Sequence, residues 1–415
     1  MESRKSFLKK SLALSAFAPL LFQSGKGNST VNFAEKDNDK FWQQIREQFT
    51  LSPEIINLNN GAVSPQPLAV QQAHIENYQY SNLAPSYFMW QKLDEQREPL
   101  RNKVADFCGV STEEIAFNRN TTEGLSTIIF GLNLKAGDEV VVSKHDYPFA
   151  LNAWQQRALR NGIKLNWVAL NLPEENENSI IEKYVSAITP QTKIIHLTHV
   201  LNWTGQIIPV RKIADAAKQK GCEVLVDGAH SFAHINFKIS DLNCDYFAAS
   251  FHKWLCAPFG TGFMFVKKEK IENLFPLLSS YESLKDNIRK FETLGTRSFP
   301  AEMAVSAALD FHQAIGNERK ENRLRELKNY WVEAAKNIQG LKLLTSLKNE
   351  LSCGMATFEI QNKKAEDIVA FLLNESKIHT SAVLWEGLNA VRIAPSIYTN
   401  FSELDLLVDT LKRLK

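Results

Sequence analysis

The chain has 415 residues, 44% of them hydrophobic and 23% charged, with only 18 glycines and 14 prolines, which excludes collagen-like, low-complexity and disordered classes. At roughly 150 residues per domain the length suits two or three structural units. The formal charge of +2 is too small for a general attraction to nucleic acid, and no basic stripe with interleaved aromatics occurs, so a small molecule is the expected partner.

In chain order, the first feature is an address. Arg4, Lys5, Lys9 and Lys10 precede an apolar stretch from Leu12 to Phe22, the charged-then-apolar layout of an export signal. That stretch is well short of the roughly 20 residues a membrane-spanning helix needs, so no stable membrane span is expected. Ser3 to Lys9 resembles a twin-arginine export motif with Lys5 at the second arginine, which implies a periplasmic protein, with a cytoplasmic one as the alternative. Residues 1–35 are set aside as signal and linker. Cys108, Cys222, Cys244, Cys256 and Cys353 are widely spaced in mostly apolar surroundings and suit buried thiols rather than disulfides or a zinc site.

A helix is expected around Phe41 to Phe49, then a short strand breaking into a turn over Ile56 to Gly61. Seven β-rich runs follow: Ile115 to Asn118, Glu139 to Ser143, Lys164 to Leu170, Lys193 to Val200, Glu223 to Asp227, Tyr246 to Ser250 and Gly262 to Val266. They alternate mostly with helical patterns such as Thr122 to Leu132 and Val210 to Gly221. Strands separated by helices need crossovers, so an α/β fold with a mostly parallel seven-stranded sheet is expected in a large domain over 36–299. From Pro300 the pattern changes to two long helices (300–315 and 318–339), strands near 355–360, 377–383 and 390–394, and a helix from Ser402. This predicts a smaller α+β domain over 300–415.

Ligands of parallel sheets bind beyond the carboxyl ends of the strands. Two ends carry chemistry. The run Glu223 to Asp227 delivers a carboxylate and continues as Gly228-Ala229-His230, and the run Tyr246 to Ser250 continues as Phe251-His252-Lys253-Trp254. A lysine bracketed by Phe251, Trp254 and Leu255 is partly desolvated, which eases deprotonation of its amine for covalent work. His230 and His234 stand four apart but lack the adjacent glutamate of metalloproteases, and Gly260-Thr261-Gly262 lacks the third glycine of a dinucleotide loop. Neither a metal nor a dinucleotide is therefore expected, and His196 and His199 are read as structural.

Together, Asp227-Gly228-Ala229-His230 and Ser250-Phe251-His252-Lys253 followed by Gly260-Thr261-Gly262 resemble the core signature of fold type I pyridoxal-phosphate enzymes, specifically aminotransferase class V. Asn120 to Gly124, Asn202 to Gly205 with Pro209, Gly295-Thr296 and Arg392 to Tyr398 match further blocks, so the resemblance spans about residues 55–412. It implies pyridoxal 5'-phosphate as cofactor and a homodimer with shared active sites. Lys253, Asp227 and His230 are then the catalytic residues. Lys253 is implied to hold the cofactor as a Schiff base and to carry a proton at the substrate Cα, Asp227 to pair with the pyridine nitrogen, and His230 and Asn202 to lie beside the phenolic oxygen. Thr121, Thr122, Ser250 and His252 are implied phosphate contacts, joined by Gly295 and Thr296 reaching across from a second subunit. Tyr147 is expected to stack on the ring, with His145 as the other candidate. Arg392 is expected to pair with the substrate carboxylate, with Asn60 as a second substrate contact. Specificity is expected in loops around Ala84 to Trp90, Trp154, Trp203 and Leu384 to Gly387.

The motifs are most similar to the isopenicillin N epimerase-like branch, which implies Cα chemistry on an amino acid or peptide-like amine by an epimerase or an aminotransferase. Desulfurases of this class carry a nucleophilic cysteine shortly before the carboxylate-binding arginine, and Lys377 to Val391 contains none. A cysteine or selenocysteine lyase lacking that cysteine, and a non-catalytic exported binding protein, are the alternatives.

Overall fold

A computed structural model describes residues 39–414; the export-signal expectation for residues 1–35 lies outside the described residues. Helix α1 (Asp39–Arg46), a two-residue strand β1 (Ile56–Asn57) and helices α2 (Leu68–Leu83) and α3 (Arg97–Cys108) lead into the main sheet. All seven β-rich runs are strands of it: β2 (Ile115–Asn118), β3 (Glu139–Ser143), β4 (Lys164–Val168), β5 (Thr192–Thr198), β6 (Glu223–Asp227), β7 (Tyr246–Ser250) and β8 (Gly262–Val266). Their order is β2-β8-β7-β6-β5-β3-β4, with β8 antiparallel to both neighbours and the remaining pairs parallel. Val140 to Val142 and Val224 to Val226 are buried on both faces, which is why these strands read as unbroken apolar runs and not as an alternation.

Helices α4 (Thr121–Gly131), α5 (Pro148–Asn161), α6 (Glu177–Ser186) and α7 (Val210–Gln219) make the crossovers. Parallel pairing brings the last residues of β3, β5, β6 and β7, namely Ser143, Thr198, Asp227 and Ser250, to one edge of the sheet. The start of α4 lies at the same edge, because Asn118 and Ser250 both pair with Gly262. Two glycines allow this approach. A Cβ on Gly228 would stand 1.9 Å from the Phe247 ring, and one on Gly124 would meet Asn118 Nδ2 at 2.7 Å and Ala248 Cβ at 2.9 Å, forcing α4 off the sheet.

The rest of the chain is α8 (Phe299–Ile315), α9 (Asn317–Ala335), β9 (Leu341–Leu343), β10 (Ala356–Ile360), α10 (Ala365–Ser376), β11 (Ile378–His379), β12 (Ser381–Trp385), β13 (Leu388–Ile393) and α11 (Phe401–Lys412). Four of these strands form an antiparallel sheet in the order β12-β13-β10-β9, and β11 pairs in parallel with β1. The packing boundary does not coincide with the change of pattern at Pro300. Helix α8 buries Phe299, Met303, Leu309 and Phe311 in the core of the seven-stranded sheet, and the core of the second sheet begins with Leu327 and Trp331 inside α9. Leu58, beside β1, also lies in that second core, so the segment around Asn59 to Gly61 runs between the two sheets. No helix among the described residues is long and apolar enough to cross a membrane.

Candidate active site

A cleft of about 440 Å³ opens over the carboxyl edge of the main sheet, lined by Tyr147, Asn202, Asp227, His230 and Lys253 from that side and by Ser381 and Arg392 from the second sheet. Asp227 is buried at the end of β6, where the Ala229 N–H donates to its Oδ1 (2.9 Å). Burial raises its pKa, so the carboxylate favours a cationic partner. Lys253 follows β7, and its Nζ lies 3.2 Å from His230 Nε2. Desolvation lowers the lysine to about 8, aided by the nearby Arg392 charge and opposed by Asp227. The amine is therefore far closer to neutrality at physiological pH than an ordinary lysine. Burial also holds His230 neutral, and its Nδ1 is buried without a partner.

At the other end of the cleft, the Ser250 hydroxyl accepts from the Thr121 N–H (2.9 Å) and lies 2.8 Å from the Thr121 hydroxyl, at the first turn of α4. Asn120 caps that helix by accepting from the Glu123 N–H (2.9 Å), so the first turn is fixed with its dipole toward the cleft. His252 Nδ1 lies 3.1 Å from the Thr261 carbonyl, which can only accept, so Nδ1 carries the proton. Burial lowers this histidine to about 4, leaving Nε2 an acceptor until an anion draws a second proton onto it.

Arg392, on β13, is buried and has no carboxylate partner among the described residues. Its Nη1 donates to the Asn202 carbonyl (2.7 Å), its Nη2 to Asn59 Oδ1 (3.0 Å), and its Nε is unpartnered. Burial lowers it to about 10. Asn202 Oδ1 is likewise buried and unpartnered.

The structure brings Thr121, Thr122, Tyr147, Asn202, Asp227, His230, Ser250, His252, Lys253 and Arg392 together in one cleft. Tyr147, at the start of α5, lines it, whereas His145 is buried and does not. Asn60 does not belong there: its Nδ2 donates to the Asn57 and Ala394 carbonyls and its Oδ1 accepts from the Tyr398 hydroxyl (2.6 Å), so it is spent on fixing the turn, and its neighbour Asn59 makes the contact to Arg392. Gly295 and Thr296 are exposed and outside the cleft. Trp154 is fully buried in the core, not a specificity residue; its Nε1 donates to His196 Nδ1 (3.3 Å), which accounts for that histidine. Trp203 lines the cleft and stacks on Trp385 (centroids 5.4 Å, planes 11° apart), and the two indole N–H groups donate to the carbonyls of His145 and Lys144. His234 is spent between the His230 carbonyl (2.9 Å) and the Gly354 N–H (2.9 Å), and no metal-binding group of three or more acidic, histidine or cysteine residues occurs among the described residues.

Sequence reasoning missed Asn59 and Asp146. Asp146 is fully buried and accepts from Thr198 Oγ1 (2.7 Å) and the Ser143 N–H (2.7 Å), and burial raises it to about 7. An acid inside the His145-to-Pro148 loop was the available signal.

The donor set fits pyridoxal phosphate on three counts: a buried carboxylate to accept from a protonated ring nitrogen at Asp227, an amine at Lys253 that desolvation makes easier to deprotonate, and helix-terminal N–H and hydroxyl donors for a phosphate at Thr121, Thr122 and Ser250. The unpartnered polar atoms of Asn202, His230 and Arg392 mark where further polar groups are wanted.

Comparisons with known proteins place the fold and the family. The chain is 27% identical over 390 residues to isopenicillin N epimerase of Streptomyces clavuligerus, covering 90% of this chain and 98% of that one. It is 28% identical over 401 residues to a probable cysteine desulfurase of Synechocystis sp., covering 89% and 94%. Among solved structures, the apo cysteine desulfurase of Thermococcus onnurineus NA1 superposes with a TM-score of 0.80 at 24% identity, covering 92% and 99% of the two chains. The cystine C-S lyase C-DES, in complex with its product cysteine persulfide, gives 0.78 at 21% identity, covering 86% and 97%. The sequence profile described as Aminotransferase class-V matches residues 56–400, and the chain belongs to that family.

Proposed function

We propose that the protein is a pyridoxal-phosphate-dependent enzyme acting at the Cα of an amino acid or peptide-like amine, as an epimerase or an aminotransferase. The observation that carries this reading is the pairing, in one cleft, of a desolvated lysine amine and a buried arginine that lacks any carboxylate partner among the described residues. When bound, pyridoxal phosphate supplies the electron sink that makes bonds at an amino acid's Cα labile. The remaining work falls to the chain. The first turn of α4, with Thr121, Thr122 and Ser250, would hold the phosphate; Asp227 would keep the ring nitrogen protonated; the Tyr147 ring would pack against the ring. Arg392 takes the substrate carboxylate and so fixes which Cα bond faces Lys253, whose amine takes and returns the proton there.

The isopenicillin N epimerase relative supports the epimerase outcome. A desulfurase would need a thiol nucleophile in the cleft. Cys108, Cys222, Cys244, Cys256 and Cys353 are all buried, none lines the cleft, and burial pushes the Cys353 thiol up, away from the reactive thiolate.

We also propose a homodimer with shared sites. Leu68, Ile75, Tyr78 and Leu83 on α2 and Phe275, Leu277, Leu278 and Tyr281 are all exposed apolar side chains, and Gly295 and Thr296 stand free to reach a neighbour's phosphate. Export to the periplasm is proposed on the basic-then-apolar N-terminal sequence and is checked by cell fractionation.

The test of the activity begins with colour. Purified protein is expected to show a yellow absorption band that Lys253→Ala removes; a colourless protein indifferent to added pyridoxal phosphate overturns the reading. Incubation with single amino acids in deuterated water is expected to give deuterium at Cα, and chiral analysis with oxo-acid assay then separates epimerisation from transamination.

A further inference from the structure

Arg392 is held by two groups, and only one of them is a side chain. The Asn202 carbonyl fixes Nη1 at 2.7 Å and Asn59 Oδ1 fixes Nη2 at 3.0 Å. A guanidinium has donors and no acceptor, so it dictates which way the Asn59 amide points: Oδ1 faces Arg392 and Nδ2 faces away. On that far side Nδ2 meets His379 Nε2 at 3.3 Å, an acceptor supplied by β11, so both ends of the amide are satisfied in a single orientation. The backbone around Asn59 is pinned as well: its N–H donates to Asn57 Oδ1 (3.0 Å), and it bridges in parallel to Ala394, two residues after the arginine. The neighbouring Gly61 leaves room for the guanidinium, since a Cβ there would stand 3.4 Å from Arg392 Cζ and 3.0 Å from Met355 Sδ.

We propose that Asn59 is a positioning residue for carboxylate recognition: held between Arg392 and His379, it points the guanidinium's remaining N–H donors into the cleft. The proposal rests on the reading above that Arg392 binds the substrate carboxylate. It also predicts a hazard. Aspartate at this position would place a carboxylate where Oδ1 now sits, pair with Arg392 permanently and compete with the substrate.

The test uses holoenzyme and the displacement of its absorption band by L-alanine, L-cysteine and L-phenylalanine, each compared with the amine lacking the carboxylate: ethylamine, cysteamine and phenethylamine. Wild type is expected to bind at least one acid more tightly than its amine. For Asn59→Ala the acid should weaken about tenfold, from the loss of one hydrogen bond to a charged group. Asn59→Asp should weaken it further, and His379→Gln, which retains an acceptor, should leave it within about twofold of wild type. Amine binding should stay level in all three, and the best acid should show a raised KM with kcat held, which a merely loosened fold would not produce. Loss of acid and amine binding together in Asn59→Ala and Asn59→Asp, or no change in either, overturns the positioning role while leaving Arg392 as the carboxylate site. A wild type with no preference for any acid over its amine overturns both.

Discussion

Two buried arginine systems in this protein have opposite electrostatics. Arg101, fully buried in α3, makes a bidentate pair with buried Glu292 (2.7 and 3.0 Å), donates to the Ile115 carbonyl, and shares Glu292 with Arg97, which also reaches Glu302. Burial alone would lower Arg101 and raise Glu292, but each overcomes that cost through the other, so the arginine moves up and the carboxylate down. Arg392 is buried to a similar degree, has two neutral oxygen partners and no carboxylate among the described residues, and moves down to about 10. A paired buried charge is settled in the fold. An unpaired one is a vacancy that a ligand's charge can fill, and its desolvation cost is met only on binding.

This contrast is sharpened most by the residue next to the unpaired arginine. Lys253→Ala is expected to lower kcat by about a thousandfold or more and to remove the absorption band, with the thermal midpoint little changed, because the amine is held for chemistry rather than packing. The paired system should respond in the opposite sense. Arg101→Met leaves Glu292 buried with one partner fewer and should cost about 3–5 kcal/mol in denaturant unfolding, with KM unaltered in whatever folds. Arg392→Met should instead raise KM for amino-acid substrates about a hundredfold, a loss of roughly 3 kcal/mol of binding, without destabilising the apo-protein. A large stability loss in Arg392→Met, or none in Arg101→Met, breaks the comparison.

Two smaller effects are read in pH. Lys253 is lowered from 10.5 to about 8, so the free amine predominates above pH 8; the rate at which apo-protein captures added pyridoxal phosphate should level off just above that pH instead of climbing toward 10.5. Glu98, held by hydrogen bonds from Arg289 and Arg101, lies at about 2 against an ordinary 4.5. Its contribution to stability is therefore present above pH 4.5 and lost as pH falls toward 2, and Glu98→Gln should flatten that part of a thermal-midpoint profile. The effect is expected to be under about 1 kcal/mol, since half of the Glu98 side chain is exposed.

The legibility of this molecule follows the range of the interactions involved. Strands such as β3, β6, β7 and β8 were readable because each is a local run rich in β-branched and apolar residues, and the ends at Asp227 and Ser250 were readable because a polar residue terminates an apolar run. The small sheet was blurred for the same local reason: the expected strand over 377–383 is divided at Thr380, where β11 leaves to pair with β1, more than 300 residues earlier in the chain. The boundary expected at Pro300 rests on the local change from strand–helix alternation to long helices, but the apolar face of α8 is claimed by the main core. Trp154 shows the limit of composition: nothing local distinguishes a core indole from one that lines a cleft, and Trp203 is the one that does.

What the sequence by itself determined is the chemistry on offer: a lysine and an aspartate at consecutive strand ends, a helix start after Asn120, and a late arginine with no cysteine in the Lys377 to Val391 stretch ahead of it, on motifs ordered as in aminotransferase class V. Which of two adjacent asparagines serves the arginine was decided only in three dimensions. Asn59 and Asn60 are the same residue type one position apart, and their fates diverge because successive side chains along this segment point to opposite sides, Asn60 toward Tyr398 and Asn59 toward Arg392. The same holds for Arg392 itself. Its residue type makes it a carboxylate binder in principle, but only the packing of β13 against the Asn202 turn leaves it buried, oriented and without a carboxylate of its own.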